Sequence, residues 1–160
     1  MTQPSKTTVI AIAGASASGK SLFAQTIYQE LLSELGPDGI SIIKEDSYYR
    51  EQSHLTMDER IQTNYDHPNA FEHELLSAQL NTLITQQHIN CPVYCYKTHT
   101  RTTEFNEIKP TPIVLVEGIL LFSNPESFAF RLAQLIADLA PSTWTTSVCF
   151  ALANNVDMPV

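Results

Sequence analysis

The chain has 160 residues, 43% of them hydrophobic and 16% charged, about one domain's worth and apolar enough to fold. Nine Lys and Arg against 17 Asp and Glu give a formal net charge of −8. That balance excludes a general nucleic-acid binder or a protein of anionic membrane surfaces, because both need a basic face. Three cysteines, Cys91, Cys95 and Cys149, are too few and too scattered for a disulfide framework. Cys91 and Cys95 resemble half a metal site, but no second ligand pair follows at zinc spacing. The N-terminus is polar, and the apolar run after it is too short for a signal peptide or a membrane span. A reduced, cytoplasmic, single-domain protein is expected.

Residues 8–13 are a continuous β-rich apolar run, as in a strand buried on both faces of a parallel sheet. A helical pattern follows, with Leu22, Phe23, Ile27, Leu31 and Leu32 on one broad face and Gly36 near its end. Residues 40–43 form a second short strand, which ends at Lys44, Glu45 and Asp46. Thr56 and Glu59 form a capping box, so a short helix starts there. From Ala70 to about Gln86, the residues Phe71, Leu75, Leu76, Leu80 and Leu83 recur at helical spacing. Residues 90–108 are rich in Tyr, Thr, Val and Ile, which predicts a β-ribbon turning near Lys97 and Thr98. Residues 112–118 read as a third core strand ending at Glu117 and Gly118. His73 and His88 read as solvated helix or loop residues.

Gly14-Ala15-Ser16-Ala17-Ser18-Gly19-Lys20-Ser21 is a Walker A pattern between a buried-type strand and an amphipathic helix. Its glycines let the loop wrap close to phosphates with N–H groups inward, and the helix start adds a positive dipole end. Lys20 is placed to reach the β- and γ-phosphates, and the Ser21 hydroxyl to ligate Mg²⁺. The bland alternative is a Gly/Ser turn. Glu117 ends a strand whose carboxyl end lines the ligand crevice of a parallel α/β sheet, where an acid holds magnesium or its waters. Asp46 ends the second strand on the γ-phosphate side. It either accepts a proton from an attacking hydroxyl or caps a turn.

A GTPase reading fits poorly, because no Asn-Lys-x-Asp is present and the third strand ends Glu-Gly. Nucleotide monophosphate kinases need several arginines for a second phosphorylated substrate, and arginine is scarce here, which favours an acceptor without phosphate. Tyr65-Asp66-His67-Pro68 puts an acid and aromatics before a helix. Tyr94 and Tyr96 share one face of the ribbon, with His99 close by. Flat aromatics stack on bases and a carboxylate accepts two hydrogen bonds from a ribose diol, so a sugar-plus-base ligand suits this set. The alternative is sheet aromatics packed on a helix.

Together the Walker A, Glu-Asp-Ser-Tyr-Tyr, Tyr-Asp-His-Pro, Pro-Val-Tyr-x-Tyr-x-x-His-Thr-Arg and Val-Glu-Gly-Ile-Leu blocks resemble the uridine kinase (uridine–cytidine kinase) family from about residue 7 to 122. The resemblance implies an α/β fold: a P-loop NTPase, Rossmann-like parallel sheet with flanking helices and a β-ribbon over the acceptor site. It implies that residues 14–21 bind the triphosphate of ATP or GTP, with Ser21, Glu117 and Asp46 around Mg²⁺. Asp46 would activate the 5′-hydroxyl of uridine or cytidine. Asp66 would hold the ribose hydroxyls, and Tyr49, Tyr94, Tyr96 and His99 would surround the pyrimidine. The product would be UMP or CMP in pyrimidine salvage, made by a cytoplasmic homotetramer with no nucleic-acid or membrane partner.

Residues 123–160 leave the pattern. Arg131 is the only basic residue after Lys109, and no arginine-rich lid follows. A helix is expected over 128–139 and a strand after Pro141. The division expected is a kinase core over 1–122 and a divergent tail over 123–160, either translated from a shifted frame of a disrupted gene or serving a role of its own such as an interface, with an incomplete sheet. The competing function is a nucleotide-binding remnant that lacks the lid and does not complete transfer.

Overall fold

A computed structural model describes residues 7–121 and the backbone of residues 149–153. The elements run β1 (Thr8–Gly14), α1 (Lys20–Leu35), β2 (Ile40–Lys44), α2 (Met57–Ile61), α3 (His73–Ile84), β3 (Ile89–Cys95), β4 (Thr100–Ile108), β5 (Ile113–Gly118) and β6 (Cys149–Ala153). Short 3₁₀ turns occupy Glu45–Tyr48 and Pro68–Ala70. Among the described residues no helix is long and apolar enough to cross a membrane.

Four strands make an all-parallel sheet in the order β2-β5-β1-β6. The registers pair Ala13 with Gly118 and Lys44 with Glu117, so β1, β2 and β5 end along one edge. This is the edge on which an open parallel sheet places its ligand site. One face of the sheet carries the main core: Val9, Ala11, Ala13, Ile43, Val114 and Val116 meet Leu76, Leu80 and Leu83 of α3 and Ile89 and Cys91 of β3. Each fully buried leucine there contributes about 1.5–3 kcal/mol. By strand alternation Ile12 and Leu115 point to the other face, and α1 lies against β1, β2 and β5.

Two helices differ from expectation. In α1 the apolar face does not include Leu22 and Phe23, which are 75% and 49% exposed. Lys20 and Ala24, one turn apart, are the buried residues, with Ile27, Tyr28 and Leu31 half-buried along the same stripe. At 100° per residue Leu22 then falls on the opposite side of the helix. The loop before α1 fixes this rotation, because it must turn Lys20 inward. The α3 helix starts at His73, not Ala70. Pro68 opens a 3₁₀ turn, and Phe71 is extended (φ −103°, ψ 151°) and bridges to Tyr49. The helix ends at Ile84, and Gln86 beyond it is left-handed (φ 64°).

Three further expectations can be compared with the described residues. Thr56 and Glu59 close both halves of a capping box at the start of α2. The ribbon β3–β4 is antiparallel, with a register shift between Pro92 and Tyr94 where proline cannot donate to the ladder. A strand does follow Pro141, at Cys149–Ala153 against β1. The helix expected over 128–139 lies outside the described residues.

Candidate active site

The phosphate loop follows from β1 running straight into α1. Ala17 and Gly19 both take positive φ (60° and 84°). Left-handed residues alternating with ordinary ones turn successive N–H groups to one side and make a concave anion site. Gly19 is the N-cap of α1 and no side chain caps it, so the first-turn N–H groups face the loop. Ser18 Oγ is buried with no hydrogen-bond partner. Lys20 is 9% exposed, and its ammonium makes no ion pair or hydrogen bond among the described residues. A buried cation and a buried hydroxyl, both unpartnered at a helix start, fit an anionic group such as a polyphosphate.

Glu117 ends β5 at 5% exposure, and Ser21 Oγ donates to its Oε2 at 3.0 Å. The strand register and the first turn of α1 bring these two oxygens together across 96 residues of chain. Such hard oxygen donors suit Mg²⁺, which binds through few protein groups and keeps several waters. No cluster of three or more His, Cys, Asp or Glu that would cage a metal exists among the described residues.

Asp46 sits in the 3₁₀ turn directly after β2, at the same sheet edge. Its Oδ2 accepts a hydrogen bond from the Tyr96 hydroxyl at 2.8 Å. The tip of the β-ribbon therefore lies over this carboxylate. Burial, then the hydrogen bond to Asp46, pushes the Tyr96 hydroxyl well above its ordinary pKa. Tyr96 is thus a neutral donor at any working pH.

An aromatic cluster continues from there. Tyr94 meets Tyr96 edge-on at 5.2 Å and Tyr49 at 4.9 Å. Tyr49 meets Tyr65 at 5.2 Å and stacks on Phe71 at 4.2 Å. Tyr65 lies 5.6 Å from His99, which closes the ribbon turn with φ 50°. Burial, with nearby Asp46 and then Glu45, raises the Tyr49 pKa. Burial and then a hydrogen bond with Tyr65 raise that of Tyr94. Asp66 is exposed, and its N–H closes an Asx turn on Asn64 at 3.1 Å. Its charge acts on Tyr49, so the carboxylate stands at the rim of the cluster rather than in it.

The fold therefore joins Tyr49, Tyr94 and Tyr96 to Asp46, and Ser21 to Glu117, from four separate stretches of sequence. Sequence reasoning counted Tyr65 among the acceptor-side aromatics but left Phe71 without a role here, because Phe71 reads as helical. It also missed Glu45 and placed His73 in solvent. His73 is 9% exposed, and its Nε2 is 2.8 Å from Oε1 of Glu45, which is fully buried. One signal pointed there: Gly118 after Glu117. A Cβ on Gly118 would run into the Glu45 carboxylate. His88 is exposed as expected and pairs with Glu107 at 2.8 Å.

The described arginines serve the scaffold. Arg60 donates to the carbonyls of Leu55, Ser53 and Thr98, which ties α2 to the ribbon tip. Arg101 binds Glu72 at 2.7 Å and the Tyr48 carbonyl at 3.0 Å, which ties the ribbon to the start of α3. Arg50 donates to the Asn69 carbonyl at 2.9 Å and pairs with Glu74 at 3.5 Å.

A family model described as "Phosphoribulokinase / Uridine kinase family" matches residues 9–139. A uridine kinase of Aliivibrio fischeri strain MJ11 is 54% identical over 117 residues, which is 73% of this chain and 54% of that protein. Another from Shewanella baltica is 51% identical over 130 residues, 81% of this chain and 61% of that protein. The chain spans a little over half the length of these curated relatives. Among solved structures, "a Possible Uridine Kinase from Bacillus stearothermophilus" superposes with a TM-score of 0.58 at 16% identity, over 94% of this chain and 91% of that one. D-glycerate 3-kinase from Cryptococcus neoformans superposes at 0.51 and 19% identity, over 72% and 43%. These structural likenesses carry the fold, a P-loop kinase α/β sheet. With the family match over 9–139 and identity above one half across 117 residues, they establish that the chain belongs to the phosphoribulokinase and uridine kinase family.

Proposed function

We propose that this chain phosphorylates the 5′-hydroxyl of a pyrimidine nucleoside, uridine or cytidine, with ATP or GTP as donor. The observation that carries the reading is Asp46. It lies at the sheet edge shared with Lys20, Ser21 and Glu117, and it is capped by Tyr96 from the aromatic cluster. One carboxylate thereby stands at the phosphate-side sheet edge and is bonded to the aromatic cluster.

In this reading the N–H groups of residues 15–21 and Lys20 hold the triphosphate, and Ser18 Oγ adds a hydrogen bond. Ser21 and Glu117, with Asp46 nearby, hold Mg²⁺, which when bound neutralises charge on the phosphates. Tyr49, Tyr94, Tyr96 and His99 pack the pyrimidine, and Asp66 takes the ribose hydroxyls at the rim. Asp46 accepts the proton of the 5′-hydroxyl as its oxygen bonds to the γ-phosphorus. The bond from that phosphorus to the β–γ bridging oxygen breaks, and nucleoside diphosphate leaves. Tyr96 exchanges its hydrogen bond to Asp46 for the incoming hydroxyl. This activity would serve pyrimidine salvage.

A second reading has one observation behind it. Every arginine among the described residues is engaged by carbonyls or carboxylates of the scaffold, and none faces the phosphate loop. A nucleotide- and nucleoside-binding protein without efficient transfer would look the same there. UMP formation by the purified chain with ATP, Mg²⁺ and uridine separates the two. The kinase reading expects turnover that falls about 10²–10⁴-fold in Asp46→Ala, the range for losing a general base. Binding of both substrates with no turnover selects the second reading.

A further inference from the structure

Among the described residues, the mechanism above leaves the fully buried carboxylate of Glu45 unused. Glu45 is fully buried, next in sequence to Asp46, and both of its carboxylate oxygens are occupied. Oε1 is 2.8 Å from His73 Nε2, at the first residue of α3. Oε2 accepts the backbone N–H of Leu120 at 2.9 Å, two residues past the end of β5. Gly118, the last residue of β5, lies against the same side chain with no room for a Cβ. The far face of the contact is aromatic. The His73 ring lies parallel to Phe71 (interplanar 4°, centroids 5.4 Å), and Phe71 stacks on Tyr49.

Three chain segments therefore converge on one side chain: the 3₁₀ turn that carries Asp46, the end of β5 that carries Glu117, and the start of α3 that backs Tyr49. A buried carboxylate is costly unless hydrogen-bonded, and here each bond goes to a different segment. Moving any one segment strands a buried charge, so the three are held in mutual register. With each oxygen bonded to the scaffold and the side chain fully buried, Glu45 is placed to hold structure rather than to meet a substrate.

We propose that Glu45 is a positioning residue that fixes Asp46 relative to Glu117 and to the Tyr49–Phe71 wall. This rests on the kinase reading for its kinetic consequence, but not for its structural one. Misplacement of a reacting group by about 1 Å costs on the order of 100-fold in rate.

The test uses the 160-residue chain with Glu45→Gln and Glu45→Ala. A glutamine keeps both bonds, its carboxamide oxygen accepting from Leu120 and its NH₂ donating to His73 in the other tautomer. Glu45→Gln is expected to stay within about threefold of wild type in kcat, and Glu45→Ala to fall about 100-fold, with KM for uridine and ATP moved by about threefold or less. Amide hydrogen exchange on substrate-free protein is the second readout. In Glu45→Ala, protection falls at 45–49 and 117–121 while β1 and the body of α3 stay protected. In Glu45→Gln it is kept.

A Glu45→Ala kcat within about threefold of wild type overturns the proposal. So does a Glu45→Gln variant as impaired as Glu45→Ala, which would make the charge and not the placement decisive. Uniform loss of protection through β1 and α3 overturns it as well, since Glu45 would then only stabilise the core. If Glu45→Ala does not fold, His73→Phe removes one bond, keeps a ring on Phe71, and must lower kcat more than it raises KM. A wild-type chain that neither turns over nor binds uridine in equilibrium dialysis sinks the kinase reading alone. The exchange pattern still decides the placement.

Discussion

The donor and acceptor halves of the site are made of different material. The donor half is mostly main chain: eight consecutive residues from the end of one strand to the start of one helix, with Ala17 and Gly19 left-handed and Ser18, Lys20 and Ser21 among its polar side chains. The acceptor half is side chain: Tyr49, Tyr65, Phe71, Tyr94, Tyr96 and His99 meet from four stretches of sequence that share no hydrogen-bonded ladder beyond the Tyr49–Phe71 bridge. A loop built from N–H groups recognises what polyphosphates have in common. A cluster built from rings and hydroxyls can tell one acceptor from another. Asp46 is the hinge between them, bonded to the acceptor half and carried by the sheet edge of the donor half.

If that division is right, the halves fail separately. Lys20→Ala is expected to have the larger effect, lowering kcat/KM about 10²–10³-fold, because a charge aimed at the transferring phosphoryl group is lost. Uridine affinity should stay within about twofold, while nucleotide affinity drops. Tyr94→Ala is the mirror experiment. Loss of a stacking ring is worth about 1–3 kcal/mol per base, so KM for uridine should rise roughly 5–100-fold with nucleotide affinity unchanged. Isothermal titration of each ligand against each variant reads all four numbers. Equal weakening of both ligands by either variant would break the division.

This split also explains what the sequence disclosed. The phosphate loop was legible because it is local: its residue types, their spacing and the flanking strand and helix all lie within 28 residues. The ribbon was legible because Tyr, Thr, Val and Ile crowd both strands around a short turn. Phe71 was not, since its spacing to Leu75 and Leu76 is helical while Pro68 and the bridge to Tyr49 hold it extended. His73 was not, because its partner Glu45 lies 28 residues away and no local pattern marks a buried histidine–carboxylate hydrogen bond. Leu22 and Phe23 were misread for a related reason. Hydrophobicity gave α1 a stripe, but the phosphate loop sets its rotation.

Alkaline pH should probe the buried tyrosines beside the acceptor half, with a smaller effect. Burial raises the pKa of Tyr48 and of Tyr49, so the folded protein keeps protons that the unfolded chain releases above its ordinary value of about 10. Stability contributed by these groups is full below that pH and falls as pH rises beyond it, by about 1.4 kcal/mol per pH unit for each tyrosine. Denaturant unfolding at a series of pH values from 8 upward, with tyrosinate absorbance as probe, should show a flat stability up to about pH 10 and a decline above it. Tyr49→Phe should make the decline shallower.

The smallest expected effect is the most pointed test of how the donor half is built. Leu22 follows Ser21 directly, yet it is three-quarters exposed, on the side of α1 away from the buried Lys20–Ala24 stripe. A hydrophobic stripe that set the orientation of α1 would need Leu22, and its replacement would cost what a core leucine costs, about 2–5 kcal/mol. A loop that sets the orientation through Ala17, Gly19 and the inward Lys20 does not need it. Leu22→Ser should then change the unfolding free energy by no more than about 0.5 kcal/mol and leave nucleotide affinity as it is. A loss of several kcal/mol, or a nucleotide site weakened without contact to Leu22, would mean that α1 is held by its side chains and that the donor half is no more a main-chain device than the acceptor half.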